Sequence, residues 1–248
     1  MKPAWRLADL HGRVHRGAYR AQPSRRVYIP KADGRPRPLG VAALEDKIVQ
    51  QAVVTILNEI YEVDFRGFSY GFRPGRNPHQ ELDALTVGIQ TKRVNWILDA
   101  DIRNFFDRIS HEWILQFVEH RVADHRILGL IRKWIKAGVS EQGQWSETTV
   151  GTPQGAVASP LLANIYLHYV FDLWVEAWRK KVAQGDMIVV RYADDLVWVS
   201  RAGQTPSVSW NNSGTAAASF LMNADNLRIR CPSAACDGGP TGPKATRS

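Results

Sequence analysis

A chain of 248 residues, 44% of them hydrophobic and 9 of them Trp, has ample apolar surface for a sizeable core, and its formal charge is +8. No stretch approaches the roughly 20 consecutive apolar residues that a membrane crossing needs, and no apolar core follows the first residues as in a secretory signal, so the chain reads as cytoplasmic, with no membrane partner. Cys231 and Cys236 offer no disulfide framework, and with no His beyond His168 they offer no zinc set.

Residues 1–40 hold ten Lys or Arg against Asp9 and Asp33, so this arm carries the whole net charge and the rest of the chain balances. Tyr19 and Tyr28 are interleaved with those charges, a pattern that favours contact with an RNA backbone over a solvated basic tail. Residues 5–22 read as a short helical lead-in, with Trp5, Leu7, Leu10 and Val14 on one face and a stop near Gly17. Arg25 to Pro30 is a strand signal. Asp33-Gly34 is a hairpin turn and Pro36 and Pro38 restrict the return, so the hairpin presents Lys31 and Arg37 on a rigid support. No phosphate-binding loop of the GxxxxGK[ST] type is present. Leu44 to Tyr61 is an amphipathic helix in which Ile48, Ala52, Thr55 and Leu57 run beside Val49, Val53, Ile56 and Ile60, a stripe wide enough for one fully packed face. Phe65 to Arg76 then mixes Arg66, Arg73 and Arg76 with Phe65, Phe68, Tyr70 and Phe72 among glycines. Such a loop suits a nucleic-acid strand, through phosphate contacts and stacking. His79 to Gln90 is a helix behind it, with His79 structural.

Val94 to Asp101 reads as an apolar strand carrying Asp99 and Asp101, followed by a bend from Arg103 to Asp107 in which Asp107 is a turn or cap residue. Ser110 caps a helix running to Arg121, a second helix covers Ile127 to Lys136, and Gly138 closes it; His111, His120 and His125 sit at caps or exposed faces without a catalytic role. Ser159-Pro160 is an N-cap followed by Pro, starting a helix from about Leu161 to Lys181, and Gln154 lies in the glycine-containing loop before it. Met187 to Ser200 is a hairpin of two buried strands whose turn carries Asp194 and Asp195. Adjacent carboxylates are costly to hold together without a cation, and Asp residues from separate strands are what two-metal phosphoryl transfer requires.

Three segments in this order, Trp96 to Asp107, Gly151 to Asn164 and Tyr192 to Asp195, resemble motifs A, B and C of the reverse transcriptases, and their wording is most similar to the enzymes encoded by bacterial group II introns. The resemblance covers about residues 5–200. It implies an α+β fold, the fingers and palm of a right-hand polymerase with an antiparallel palm sheet backed by helices and no thumb. The implied divisions are a basic N-terminal extension over 1–24, fingers over 25–92 and palm over 93–200. It further implies an RNA-directed DNA polymerase in which Asp101, Asp194 and Asp195 are catalytic and, with Ile102, bind two Mg²⁺ ions, Mn²⁺ being an alternative. Lys31, Arg37, Phe106 and Gln154 are implied as the dNTP contacts, Phe106 as the bulky gate against a ribose 2′-OH. Arg25, Arg26, Arg66, Arg73 and Arg76 are the nucleic-acid contacts of this reading. Its partners are an RNA template or intron RNA, a DNA primer and dNTP; dimerisation and any partner chain stay open.

More than half of residues 201–248 are Gly, Pro, Ser, Ala or Thr, which predicts a largely disordered, low-complexity tail. The family's primer grip and thumb or maturase segments are not recognisable there. The competing reading is therefore a truncated, silent fragment that only binds RNA, and on that ground the chain is expected to extend a primer poorly. A metal nuclease is the weakest reading, since it leaves Lys31, Arg37, Phe106 and Gln154 without a role.

Overall fold

Two four-stranded sheets organise this computed structural model, which describes residues 4–30, 34, 36–148, 150–152, 154–181, 183, 185–201 and 227–230. Helix α1 (Ala4–His15) leads into β1 (Ser24–Pro30) and β2 (Pro36–Val41), an antiparallel hairpin with Ile29 opposite Arg37. Lys31, Cys231 and Cys236 lie outside the described residues. β4 (Val139–Glu141) pairs in parallel with β1, and β5 (Gln144–Ser146) extends the sheet to the order β2-β1-β4-β5. Residues 139–146 fall in the stretch expected to be palm, yet they complete the fingers sheet. Gly138 makes this possible: at φ +77° it turns the chain sharply out of α6 (His125–Lys136), and its carbonyl accepts from Ser24 N at 3.1 Å, which starts the pairing with β1.

The second sheet, in the order β6-β7-β3-β8, is antiparallel throughout. It contains β6 (Met187–Tyr192), β7 (Asp195–Ser200), β3 (Trp96–Ile102) and β8 (Leu227–Arg230). The tail is expected to be largely disordered, and four of its residues form this last strand. It pairs with β3 from Asp99, opposite Arg230, to Ile102, opposite Leu227, and so takes up the main-chain groups along the outer edge of β3. The other residues of 202–248 lie outside the described set.

Alternation along β3 and β7 sends Ala100, Ile102, Leu196 and Trp198 to the buried face. There they join α5 (His111–Glu119), α6 and α7 (Ser159–Leu167) in one core that includes Ile114, Val118, Ile131, Ile165 and Leu167. Helix α2 has its expected ends, Leu44–Tyr61, but not its expected face: Val49, Val53, Val54 and Leu57 are buried, whereas Ile48 and Ile56 are 41% and 56% exposed. Polar anchors set the rotation. Asp46 accepts from Tyr19 Oη and Gln22 N, and Gln50 Oε1 accepts from Ala158 N at 3.1 Å, so both must face inward. Helix α3 (Pro78–Thr91) starts with a capping box between Asn77 and Gln80 and packs on β6. Ser110 caps α5 as expected, whereas Ser159 is already the first residue of α7 and Ala158 holds its cap position without a side-chain bond. The single long helix expected to follow is interrupted by a π-helical turn, His168–Asp172, before α8 (Leu173–Lys181). Among the described residues no helix is long and apolar enough to cross a membrane.

Candidate active site

The register sets Asp101, near the end of β3, opposite Asp195, the first residue of β7. Opposed residues of an antiparallel pair point to the same face, so the two carboxylates share the face away from the core. Ala193 and Asp194 form the turn between β6 and β7. Ala193 sits at φ +57°, a left-handed conformation that costs an L residue roughly 1–2 kcal/mol, and the turn it makes brings Asp194 O to 3.4 Å from Ile102 N. The loop over residues 65–76 braces this turn. Tyr70 N donates to Arg191 O and Arg191 N to Phe68 O, each at 2.8 Å. Gly71 lies so close that an added Cβ would run into Ala193 N and stand 3.0 Å from Tyr192 C, and its carbonyl accepts from Asn164 Nδ2 of α7 at 2.7 Å.

An open cavity of about 390 Å³ lies beside Asp101 and Asp194, and Arg37, Phe106 and Gln154 line it with them. Three of the four residues expected around a nucleotide are thus brought to the carboxylates from β2, α4 (Phe105–Arg108) and the loop before α7. Arg37 Nε donates to Gln154 Oε1 at 3.0 Å and Gly40 N to Gln154 O at 2.6 Å, which ties the fingers hairpin to the palm. Phe106 is buried, and its carbonyl accepts from Thr152 N at 2.7 Å. Arg103 and Asn104 line the cavity as well, and sequence reasoning passed over both; Asp107 does too, beyond its expected role as a turn residue. The usable signal was position, a cation two residues after Asp101 in the bend that follows the strand.

The expected cluster of three carboxylates is assembled only in part. Among the described residues no three His, Cys, Asp or Glu side chains are gathered as a ready metal-binding group, and Asp195 is exposed and does not line the cavity. Burial, then the charges of Asp195 and Asp101, push the Asp194 carboxyl up to about 6, with Arg37 opposing. Burial and then Asp195 also hold Glu81 above the usual carboxylate range. An oxygen-only donor set of Asp101, Asp194 and the Ile102 carbonyl, with a carboxylate whose burial a cation would relieve, fits Mg²⁺ or Mn²⁺.

Asp194 yields a stability prediction in buffer free of divalent cations. Its folded value of about 6 lies above the ordinary 3.8, so the cost of its charge is absent below pH 4 and complete above pH 6. Asp194→Asn should therefore stabilise the fold by roughly 1 kcal/mol at pH 7.5, after discounting for partial exposure. That corresponds to about 2–4 °C in melting temperature, and the gain should vanish on acidification to pH 3.5. Thermal melts at the two pH values check it.

The five arginines expected on nucleic acid divide. Arg25 is exposed on β1, and Arg26 is half-buried, 3.9 Å from Glu141. Arg66 pairs with Glu176 at 2.7 Å, and Arg76 donates to Gly67 O at 2.9 Å and covers the Tyr70 ring. Arg73 does not face solvent. It is buried, paired through two nitrogens with Glu62 and bonded to the carbonyls of Arg66 and Ser69, so four of its five N–H donors are spent inside the protein and it builds the loop rather than facing a phosphate.

Residues 29–219 match the family described as Reverse transcriptase (RNA-dependent DNA polymerase). The chain belongs to the reverse transcriptases. The match passes Ser200, where the resemblance was expected to stop. Protein YkfC of Escherichia coli K12 is 35% identical to this reverse transcriptase over 223 residues, 78% of the chain and 58% of YkfC. The group II intron-encoded protein LtrA of Lactococcus lactis subsp. cremoris is 42% identical over 153 residues, 61% of the chain and 25% of LtrA. The chain thus spans between a quarter and three-fifths of these relatives, and the group II intron resemblance holds. A telomerase structure from Candida tropicalis superposes with a TM-score of 0.60 at 14% identity, over 93% of this chain and 45% of that one, which shows the fold.

Proposed function

We propose that this chain carries the nucleotidyl-transfer site of a group II intron reverse transcriptase, adding dNTP to a primer 3′-OH under an RNA template. The observation that supports this best is the meeting of Asp101 and Asp194 with Arg37, Phe106 and Gln154 around one cavity. Arg37 supplies a guanidinium for the triphosphate, and to do so it exchanges its bond to Gln154 for phosphate oxygens, which frees the amide for the base or sugar. Phe106 fills the wall where a 2′-OH would stand, so the substrate is a deoxynucleotide. Arg103 adds a second cation to the same cavity. Asp101, Asp194, the Ile102 carbonyl and, after a small inward movement, Asp195 would hold two magnesium ions. When bound, these ions supply the positive charge that activates the primer hydroxyl and stabilises the leaving pyrophosphate. Arg25, Arg26 and Arg76 form the phosphate-contact set of the fingers, with Lys31 as a further triphosphate ligand.

The test is Mg²⁺-dependent addition of one nucleotide to a DNA primer annealed to RNA. Addition of the nucleotide complementary to the template supports the assignment; RNA binding without addition supports the binding-only reading, and cleavage without dNTP a nuclease. Within an active preparation, Arg37→Ala should raise the KM for dNTP roughly 10–100-fold, the scale of a charge-assisted hydrogen bond, with kcat little changed. An unchanged KM removes Arg37 from the nucleotide site.

A further inference from the structure

The most heavily bonded side chain among the described residues lies behind the metal-facing turn. Arg191 is fully buried, and each of its five N–H donors is used. Nε and Nη2 grip the two oxygens of Asp172 at 2.8 and 2.6 Å, Nη2 also reaches Ser69 Oγ at 2.7 Å, and Nη1 reaches Asn164 Oδ1 at 3.1 Å. The fifth bond goes to the turn: Nη1 donates to the carbonyl of Ala193 at 2.9 Å, the buried, left-handed residue directly before Asp194. Asn164 also holds Gly71, whose backbone abuts the same turn.

The π-helical turn explains how Asp172 reaches Arg191. At about 100° per residue, Asn164 and Asp172 would lie roughly 80° apart around an unbroken α-helix. A π-turn takes up one extra residue, which brings them to within roughly 20° of each other. The turn from His168 to Asp172 lies between the two, and both side chains meet the same guanidinium. A buried ion pair adds little net stability compared with apolar side chains of similar volume, so stability alone does not account for this arrangement.

We propose that Arg191 is a positioning residue: aligned by Asp172 through the π-turn, it clamps the Ala193 carbonyl and thereby fixes the Asp194-Asp195 turn for cation binding. The inference rests on the polymerase reading of the site and assigns Arg191 no contact with substrate. It is tested on the full chain by Mn²⁺ binding, followed by electron paramagnetic resonance, with thermal melts in parallel. The parent chain should bind Mn²⁺ and Asp101→Asn should lose that binding; a parent with no Asp101-dependent binding overturns the site reading and the clamp with it. The double variant Arg191→Met, Asp172→Leu replaces both charges by apolar groups and should fold, yet bind Mn²⁺ roughly 10–100-fold more weakly, the scale for removing a group that orients metal ligands. A folded double variant with Mn²⁺ affinity within about twofold of the parent, well under that scale, overturns the clamp while leaving the site intact. Should the double variant fail to fold, Arg191→Lys decides: it keeps a charge beside Asp172 but has three donors for five acceptors, and a folded lysine variant with unchanged Mn²⁺ affinity also overturns the proposal.

Discussion

Asp101→Asn is expected to lower template-directed nucleotide addition by at least roughly 10²–10³-fold, the scale for losing one preorganised electrostatic group, while leaving the melting temperature nearly unchanged. The substitution is isosteric, and Asp101 lies half-buried at a strand end on the face away from the core, so packing has little stake in its charge. Chemistry has a large one in the proposed reaction, because Asp101 at the end of β3 and Asp194 in the β6–β7 turn line the same cavity as Arg37. Neutralising Asp101 also removes one of the charges that raise the Asp194 carboxyl, so Asp194 should titrate lower in the variant. Primer extension, melting and a carboxyl titration followed by NMR would together separate this from unfolding. Retained addition at a normal rate would remove Asp101 from the chemistry.

Gly71→Ala should be damaging in a different way. The methyl group would run into Ala193 N and lie 3.0–3.1 Å from Tyr192 C and Ala193 Cα, all of them backbone atoms of the turn that cannot swing aside as a side chain can. Overpacking of this kind costs about 1–3 kcal/mol. Moving the turn by even ~1 Å displaces Asp194 and can cost on the order of 10²-fold in rate. Gly67→Ala in the same loop is the control, since nothing lies within 4 Å of a Cβ there. Melting curves and nucleotide addition for the pair check the argument, and equal behaviour of the two variants would show that the turn is not held by this contact.

Much of the site was legible because its signals are local. The alternating runs on either side of Ala193-Asp194 define the β6–β7 hairpin, α2 begins and ends where its periodicity does, and the residues singled out in the motifs and the hairpin, Asp101, Phe106, Gln154 and Arg37, line one cavity. A side chain's surroundings are not local, and there the sequence misled. Arg73 reads as a phosphate ligand beside aromatic rings, but Glu62, 11 residues earlier, captures it, and the stripe on α2 turns away from Ile48 and Ile56 because Asp46 and Gln50 have partners inside.

The sequence by itself determined the family and the candidate site residues, since carboxylates at strand ends, a basic hairpin and a glycine-containing loop before a helix are patterns of adjacent residues. Only the tertiary structure decided which charges face the cavity and which hold the scaffold. Arg191 is two positions before Ala193 of the turn, yet nothing near it in the chain shows that Asp172, 19 residues back, would be rotated onto it by a π-turn. Nor does any local pattern show that Leu227–Arg230 would close the open edge of β3 or that residues 139–146 would join the sheet of β1 and β2. Strand pairing and ion pairing are satisfied by whichever partner the packed core brings within reach, and that choice is made in three dimensions.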